Sequence, residues 1–268
     1  MSELSGAAIL LLILLGGSAL GVFVRRFLSE RHRSPETNDL IRLVVTMLVT
    51  FAALVLGLLT SSVKASFDTV DTDLRGVAIQ LIQLDRSLRI YGSETMPART
   101  LLRSYTAAKI AATWTSEPSP TGNYYPRTPA GSATDMEKIE DTSLGQMLSE
   151  VEADLRNLEP RDPMHRQLSL TILNQFEQLM RMRWKVIEEA HNSISTPFYI
   201  VLAFWLVIVF ASFGLSAPRN LLSYITIMLG ALSIASVIFV ILDLDTPFSG
   251  LFMVSSQPMR DALAQLNR

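Results

Sequence analysis

The sequence predicts an all-α membrane protein, with four transmembrane helices in two hairpins and an extramembrane helical-bundle domain between them. Its apolar residues are gathered into four uncharged blocks, two near each end of the chain. Each block is long enough to cross a bilayer, which takes about 20 residues. The polar stretch between the second and third blocks shows helical periodicity and no useful alternating strand pattern. We therefore expect an integral membrane protein whose main partner is the lipid bilayer.

The order of the blocks predicts four regions. Residues 1–63 form the first hairpin, with helices at about 6–24 and 43–63; residues 64–196 form the extramembrane domain, with a proline-rich loop at 117–133; residues 197–243 form the second hairpin; and residues 244–268 form a turn and a C-terminal amphipathic helix. Glu3, and no basic residue, precedes the first block, which is the reverse of a signal peptide. We expect this block to be retained as a spanning helix.

Composition argues against several classes of function. The formal net charge of −2 gives no electrostatic support for binding nucleic acid. The absence of cysteine excludes thiolate metal sites and cysteine nucleophiles. The chain has no glycine-rich phosphate loop and no serine in a nucleophile elbow, and its apolar blocks lack the ionisable residues of a proton relay. We therefore expect no enzyme activity, no catalytic residue, no metal and no cofactor.

Arginines predict how the chain is oriented. The loop from Arg25 to Ile41 holds four arginines and the second short loop holds Arg219, whereas the N-terminal tail holds no basic residue. Short cytoplasmic loops are enriched in lysine and arginine, so we expect both hairpin loops in the cytoplasm. Both termini and residues 64–196 should then be extracytoplasmic, with the helices crossing a bacterial inner membrane several times.

The most regular pattern begins where the second apolar block ends. Nine residues, spaced alternately four and three apart, form a heptad seam: Val63, Phe67, Val70, Leu74, Val77, Leu81, Leu84, Leu88 and Tyr91. Traced back into the membrane, the seam leads to small and hydroxylated residues, which we interpret as the same face of one continuous helix from Leu43 to Tyr91. The seam could pack against later helices of this chain or against another subunit, since the spacing fits both.

Glycine and proline residues predict where the remaining helices begin and end. Gly92 should end the long helix, and Pro97 suits the first turn of the next one. A third helix should run from about Thr134, and a tight turn bracketed by Pro160 and Pro163 should separate it from a fourth. The extramembrane domain should thus contain about four helices.

Five motifs, in this order along the chain, resemble those of a known family. They are LTSSVKASFD (59–68), LDRSLRIYG (84–92), RTLLRSY (99–105), LDLDTPFSGL (242–251) and SSQPMRDAL (255–263). Together they resemble the bacterial bestrophin-like family of membrane proteins, whose function is unknown, and the resemblance covers nearly the whole chain from residue 40. The family label implies a distant similarity to bestrophins, which are pentameric anion channels. The resemblance therefore implies a homo-oligomer and an ion pore.

Small and hydroxyl-bearing residues of the second block are the candidate pore lining: Thr46, Thr50, Ala53, Gly57 and Thr60. Hydroxyls can partly replace the hydration of an ion. Arg42 and Lys64 lie near the two ends of this stripe, where positive charge would attract anions. They are candidate pore-mouth residues, together with Asp243 and Asp245 at the end of the fourth block. The alternative role for the two aspartates is to build a turn through hydrogen bonds to the backbone.

A second hypothesis is a membrane-anchored interaction or sensory protein. Its extracytoplasmic helical domain would bind a partner protein of the cell envelope. Only short cytoplasmic loops would then be available to carry a signal inward. The oligomeric state separates the two hypotheses, because a pore in this chain needs several copies around an axis.

Overall fold

The computed structural model describes residues 3–27, 35–122, 133–191, 196–218 and 220–268. Within these ranges the chain forms eight α-helices and no β-strand. They are α1 (Glu3–Val24), α2 (Pro35–Tyr91), α3 (Met96–Thr113), α4 (Ala133–Arg156), α5 (Pro163–His191), α6 (Thr196–Ser216), α7 (Leu221–Leu244) and α8 (Gln257–Leu266). A single 3₁₀ turn, Ser93–Thr95, joins α2 to α3.

Four of the described helices are long and apolar enough to cross a membrane, namely α1, α2, α6 and α7. The prediction of an all-helical membrane protein is confirmed. The two-hairpin arrangement and the sides of the membrane stay predictions, and the arginine-bearing residues 28–34 and 219, like 123–132 of the proline-rich loop, lie outside the described residues.

The chain divides into two compact units. The first, the membrane unit, comprises Met1–Phe67 and Asn192–Met253, and the second, the helical unit, comprises Asp68–His191 and Val254–Arg268. The helix α2 contributes its first part to one unit and its second part to the other. Residues 254–268 therefore belong to the second unit and residues 244–253 to the first, whereas the sequence suggested one separate region at 244–268.

In the first unit, α1 packs against both α6 and α7. Leu14, Phe210 and Ala231 are buried at the centre of this core, and α2 contributes Ala52 and Leu59. Apolar side chains gain little from meeting each other in lipid, so close packing of helices carries the stability of this unit.

Glycines bring the backbones of α1 and α6 into contact. A Cβ atom on Gly21 would overlap the carbonyl oxygen of Ala211, and one on Gly214 would overlap the carbonyl oxygen of Ser18. A Cβ on Gly17 would lie 3.2 Å from the carbonyl oxygen of Val207. Small residues at a membrane-helix contact permit this close approach.

In the second unit, the heptad seam is buried inside the chain. Leu81, Leu84 and Leu88 are each 0% exposed, and Val70 and Tyr91 are also buried. Of the two alternatives for the seam, packing against helices of the same chain is therefore the correct one. The prediction of a continuous helix is confirmed as far as Tyr91, and α2 begins at Pro35, earlier than the apolar block.

The interpretation that the heptad seam and the small, hydroxylated residues lie on one face of α2 is wrong. Gly57 is exposed, and the buried face continues into the membrane part through Val63, Leu59 and Ala52 instead. The reason is geometric. Val63, Thr60 and Gly57 are spaced three and three apart, and at about 100° per residue each step of three falls about 60° short of a full turn. Two such steps in succession move the traced line about a third of the way around the helix.

Buried polar contacts link separate segments of the second unit. The carboxylate of Asp85, which is 2% exposed, accepts hydrogen bonds from Nε of Arg89 at 2.7 Å and Nε of Arg99 at 2.8 Å. Two charge-assisted bonds offset the cost of burying this carboxylate. Nε1 of Trp114 donates to the carbonyl oxygen of Val254 at 2.8 Å, which attaches the C-terminal segment to the unit.

Gly92 ends α2 as predicted. Its φ of 128° lies in the region that favours glycine, because other residues would place a Cβ against their own backbone. Three residues after Gly92, the hydroxyl of Thr95 donates to the carbonyl oxygen of Leu88 at 2.7 Å and so binds one of the last carbonyls of the helix.

Candidate functional site

The candidate pore face lies on the outside of the chain. Thr46, Thr50, Ala53 and Gly57 are all exposed, and Thr60 is half-buried. The buried residues of the same stretch of α2, such as Ala52 and Leu59, lie on another side of the helix and pack into the core of the first unit. The face is therefore available to lipid or to a second copy of the chain.

The threonine hydroxyls on this face donate back to their own helix. Thr46 Oγ1 donates to the carbonyl oxygen of Arg42 at 2.8 Å, Thr50 Oγ1 to that of Thr46 at 2.9 Å, and Thr60 Oγ1 to that of Leu56 at 2.8 Å. Each hydroxyl retains two acceptor lone pairs. In this rotamer the face offers acceptors to water or a cation, and an anion is bound only after a hydroxyl rotates away from its carbonyl.

Charged residues lie near both ends of the face. Arg42 and Lys64 are exposed, and the Lys64 ammonium lies 5.6 Å from the ring centroid of Phe67. Asp39 lines the same open groove as Arg42, Thr46 and Thr50, so this end carries both signs of charge. A search for hydroxyl-bearing residues does not find Asp39. The position of Asp39, seven residues before Thr46, nevertheless places it on the same face of the helix.

The carboxylate of Asp243 is used inside the protein. It is 1% exposed and accepts hydrogen bonds from the backbone N–H of Leu251 at 2.8 Å and of Phe252 at 2.7 Å. Gly250, with φ of 93°, faces this carboxylate, and any Cβ there would overlap it. These contacts fit the turn-building role, whereas Asp245 is half-buried beyond the end of α7. The pore-mouth role of both aspartates stays a prediction.

Titratable groups elsewhere in the helical unit serve its structure. The carboxylate of Asp162 accepts a hydrogen bond from the backbone N–H of His165 at 2.7 Å and lies 2.8 Å from its Nδ1, and these bonds hold the pKa of Asp162 below its usual value. Because this pKa is lowered by folding, the contact stabilises α5 above the ordinary pKa of about 3.9 and is lost on further acidification.

A second titratable group is Glu189, which lies beside the Asp73–Lys185 ion pair. Lys185 Nζ lies 2.9 Å from Asp73 Oδ2. Burial raises the pKa of the Glu189 carboxyl, and the neighbouring Asp73 raises it further. Within the described ranges, no three His, Cys, Asp or Glu side chains lie close enough together to hold a metal ion.

Comparison with known proteins shows the family. The model of the bestrophin-like domain matches residues 12–259, which is most of the chain. No curated protein matches significantly. Among solved structures, a mutant bacterial bestrophin homolog from Klebsiella pneumoniae is similar at 15% sequence identity and a TM-score of 0.61, covering 100% of this chain and 99% of that one.

Two further structures are similar to this chain. A membrane protein carrying a point mutation matches at 14% identity and a TM-score of 0.61, covering 98% of this chain and 100% of that one. A second mutant of the Klebsiella pneumoniae bestrophin homolog matches at 14% identity and a TM-score of 0.58, covering 96% of each chain. These identities show a shared fold, and the domain match shows that the chain belongs to the bestrophin-like family.

Proposed function

We propose that the chain assembles into an oligomeric ion channel of the bacterial inner membrane, in which the α2 faces of several copies line a central pore. One observation carries the proposal: a stripe of threonine, alanine and glycine lies exposed on an otherwise apolar membrane helix. The uncharged spanning segments of one chain offer little room for a water path. A path therefore requires several copies around a common axis.

Anions are the favoured ion class. Membership of the bestrophin-like family suggests an anion channel, and Arg42 and Lys64 near the ends of the face attract anions. Rotation of a threonine hydroxyl away from its backbone carbonyl turns a donor toward a passing anion. Asp39 beside Arg42 opposes this preference at one end, so selectivity depends on the balance of the two charges.

Replacing Thr50 by leucine should reduce chloride flux strongly. The substitution removes an exposed hydroxyl and places a branched apolar side chain on the proposed pore face, which favours drying of the path. The measurement is chloride efflux from liposomes that contain equal amounts of wild-type or variant protein, with sodium flux recorded in parallel.

Ser236→Leu on α7 is the matched control. Ser236 is also exposed in a spanning helix and also donates to its own backbone, at 2.7 Å to Ser233, so its replacement should leave the flux unchanged. Equal flux from Thr50→Leu and wild-type protein would contradict the pore role of the α2 face.

We also propose the orientation set by the arginines, with four spanning helices in two hairpins and residues 64–196 extracytoplasmic. The chain contains no cysteine, so a single introduced cysteine reports its own location. Ser119→Cys should react with a membrane-impermeant thiol reagent in cells whose outer membrane has been permeabilised and whose inner membrane is intact. Glu36→Cys, near the start of α2, should react only after lysis. The reverse labelling pattern would invert the assignment.

The alternative function is that of an interaction protein whose helical unit binds an envelope partner. The observation that favours it is the exposure of large apolar residues on α5, namely Met164, Leu170 and Trp184. Well-assembled wild-type protein that passes no ion in the flux assay would favour this alternative over the pore.

A further inference from the structure

The segment that follows α7 turns back and is bound to the end of that helix. The hydroxyl of Thr246 donates to the carbonyl oxygen of Asp243 at 3.2 Å, and the backbone N–H of Ser249 donates to the carbonyl oxygen of Thr246 at 3.1 Å. The Asp243 carboxylate then accepts hydrogen bonds from the backbone N–H groups of Leu251 and Phe252. The backbone of these two residues therefore lies beside the last turn of α7.

The end of α7 marks one boundary of the membrane-spanning part of the first unit. The helix has 24 residues and is about 36 Å long, which exceeds the thickness of about 30 Å of a hydrocarbon core. Gly6 near the start of α1, Tyr199 near the start of α6 and Leu242 near the end of α7 line one common cavity. Three apolar helices thus have an end at the same level. Leu251 and Phe252 lie beside one of these ends, where hydrocarbon meets headgroups.

The side chains of Leu251 and Phe252 are exposed although their backbone is fixed. Leu251 is 76% exposed and Phe252 is 45% exposed. The turn before them depends on Gly250, whose φ of 93° favours glycine. The sequence carries no charged residue between Asp245 and Arg260. An uncharged segment that holds two large apolar side chains outward is suited to an apolar surrounding rather than to water.

We propose that Leu251 and Phe252 form a lipid-inserting tip, which enters the bilayer at the headgroup boundary beside the end of α7. The tip adds to the exposed apolar surface of that spanning helix, which includes Leu229 and Leu232. Apolar side chains that bind at this boundary are buried to a depth of about 5–10 Å. The tip therefore gives the segment after α7 a second attachment to the membrane, in addition to the spanning helix itself.

Size favours a bilayer over a second copy of the chain as the surface that covers the tip. A stable interface between proteins buries about 800 Å² on each partner, and two side chains supply far less than that. Burial of apolar area in lipid is non-directional and requires no complementary shape. A bilayer therefore accommodates the tip as it stands.

Quenching of fluorescence by brominated lipids measures the insertion. The chain contains no cysteine, so Phe252→Cys attaches one environment-sensitive fluorophore to the full-length protein at the tip. In liposomes, lipid with bromine atoms near the headgroup should quench this label strongly. Lipid with bromine atoms near the end of the acyl chain should quench it less, because the tip is inserted only about 5–10 Å.

Gln178→Cys on α5 is the matched control for the label. Gln178 is exposed in the helical unit, among the exposed polar residues Asn174, Glu177 and Arg181. Neither brominated lipid should quench a fluorophore at this position.

A second variant tests whether Gly250 positions the tip. Gly250→Ala, combined with Phe252→Cys, adds a Cβ that overlaps the Asp243 carboxylate. It should displace the tip and weaken the quenching by lipid brominated near the headgroup. Gly16→Ala in the same background is the control, because a Cβ on Gly16 meets nothing within 4 Å, and it should leave the quenching unchanged.

Quenching at Phe252→Cys that is no stronger than at Gln178→Cys would overturn the proposal. A disulfide formed in liposomes between two unlabelled copies of Phe252→Cys would also overturn it, because a second copy would then cover the tip. Unchanged quenching in Gly250→Ala would overturn the positioning role of this glycine. These readouts require no ion flux and do not depend on orientation. Failure of the channel assay therefore leaves the insertion result intact, and failure of insertion leaves the channel proposal intact.

Discussion

Gly21→Val is expected to separate α1 from α6 and to lower the melting temperature in detergent strongly. The valine Cβ would overlap the Ala211 carbonyl oxygen and lie 2.9 Å from the backbone nitrogen of Leu215. Overpacking a core usually costs about 1–3 kcal/mol. Here the obstacle is backbone rather than a flexible side chain, so we expect about 3 kcal/mol or more.

Gly16→Val on the same helix is the control for this prediction. It introduces the same β-branched residue with the same change in helix propensity, but a Cβ at Gly16 has no heavy atom within 4 Å. Its melting temperature should stay close to that of the wild-type protein. Equal losses in the two variants would contradict the close approach of α1 and α6 as the cause of the effect.

Leu81→Asp is expected to destabilise the helical unit by several kcal/mol. Leu81 is 0% exposed in the seam of α2, so the variant places a carboxylate inside the buried seam. Burial of an unpaired charge is among the few mechanisms that reach about 4 kcal/mol in a single substitution. Thermal unfolding followed by circular dichroism of the purified full chain measures the effect.

Ile79→Asp, two residues earlier on the same helix, makes a similar chemical change at a site that is 53% exposed. Exposed substitutions usually change stability by less than about 0.5 kcal/mol, so this variant should unfold near the wild-type temperature. A wild-type melting temperature for Leu81→Asp would contradict the burial of the seam.

The helices of this fold were predictable because two strong signals mark them. Uncharged apolar runs identify the spanning helices, and the heptad seam identifies the long helix as far as Gly92. Hydropathy could not show that α2 begins at Pro35. That start depends on Pro35 at the first helical position and Glu36 in the first turn, which are signals of backbone geometry and charge.

The candidate site was less predictable, because its geometry depends on contacts between distant residues. Asp243 accepts backbone bonds from Leu251 and Phe252 across a turn, and no residue pattern specifies such a partner. The orientation of the threonine face was predicted wrongly, because the line traced along the sequence passes through two successive steps of three residues. Those steps carry the line away from the buried side of the helix.

The oligomeric state of the purified protein tests the central claim most directly. Native mass spectrometry in detergent, followed by cryo-electron microscopy of the same sample, should show a closed ring. The face of α2 that carries Thr46, Thr50 and Gly57 should surround its axis, because that exposed stripe is the proposed pore lining. A monomer, or a ring in which this face points outward to lipid, would contradict the account.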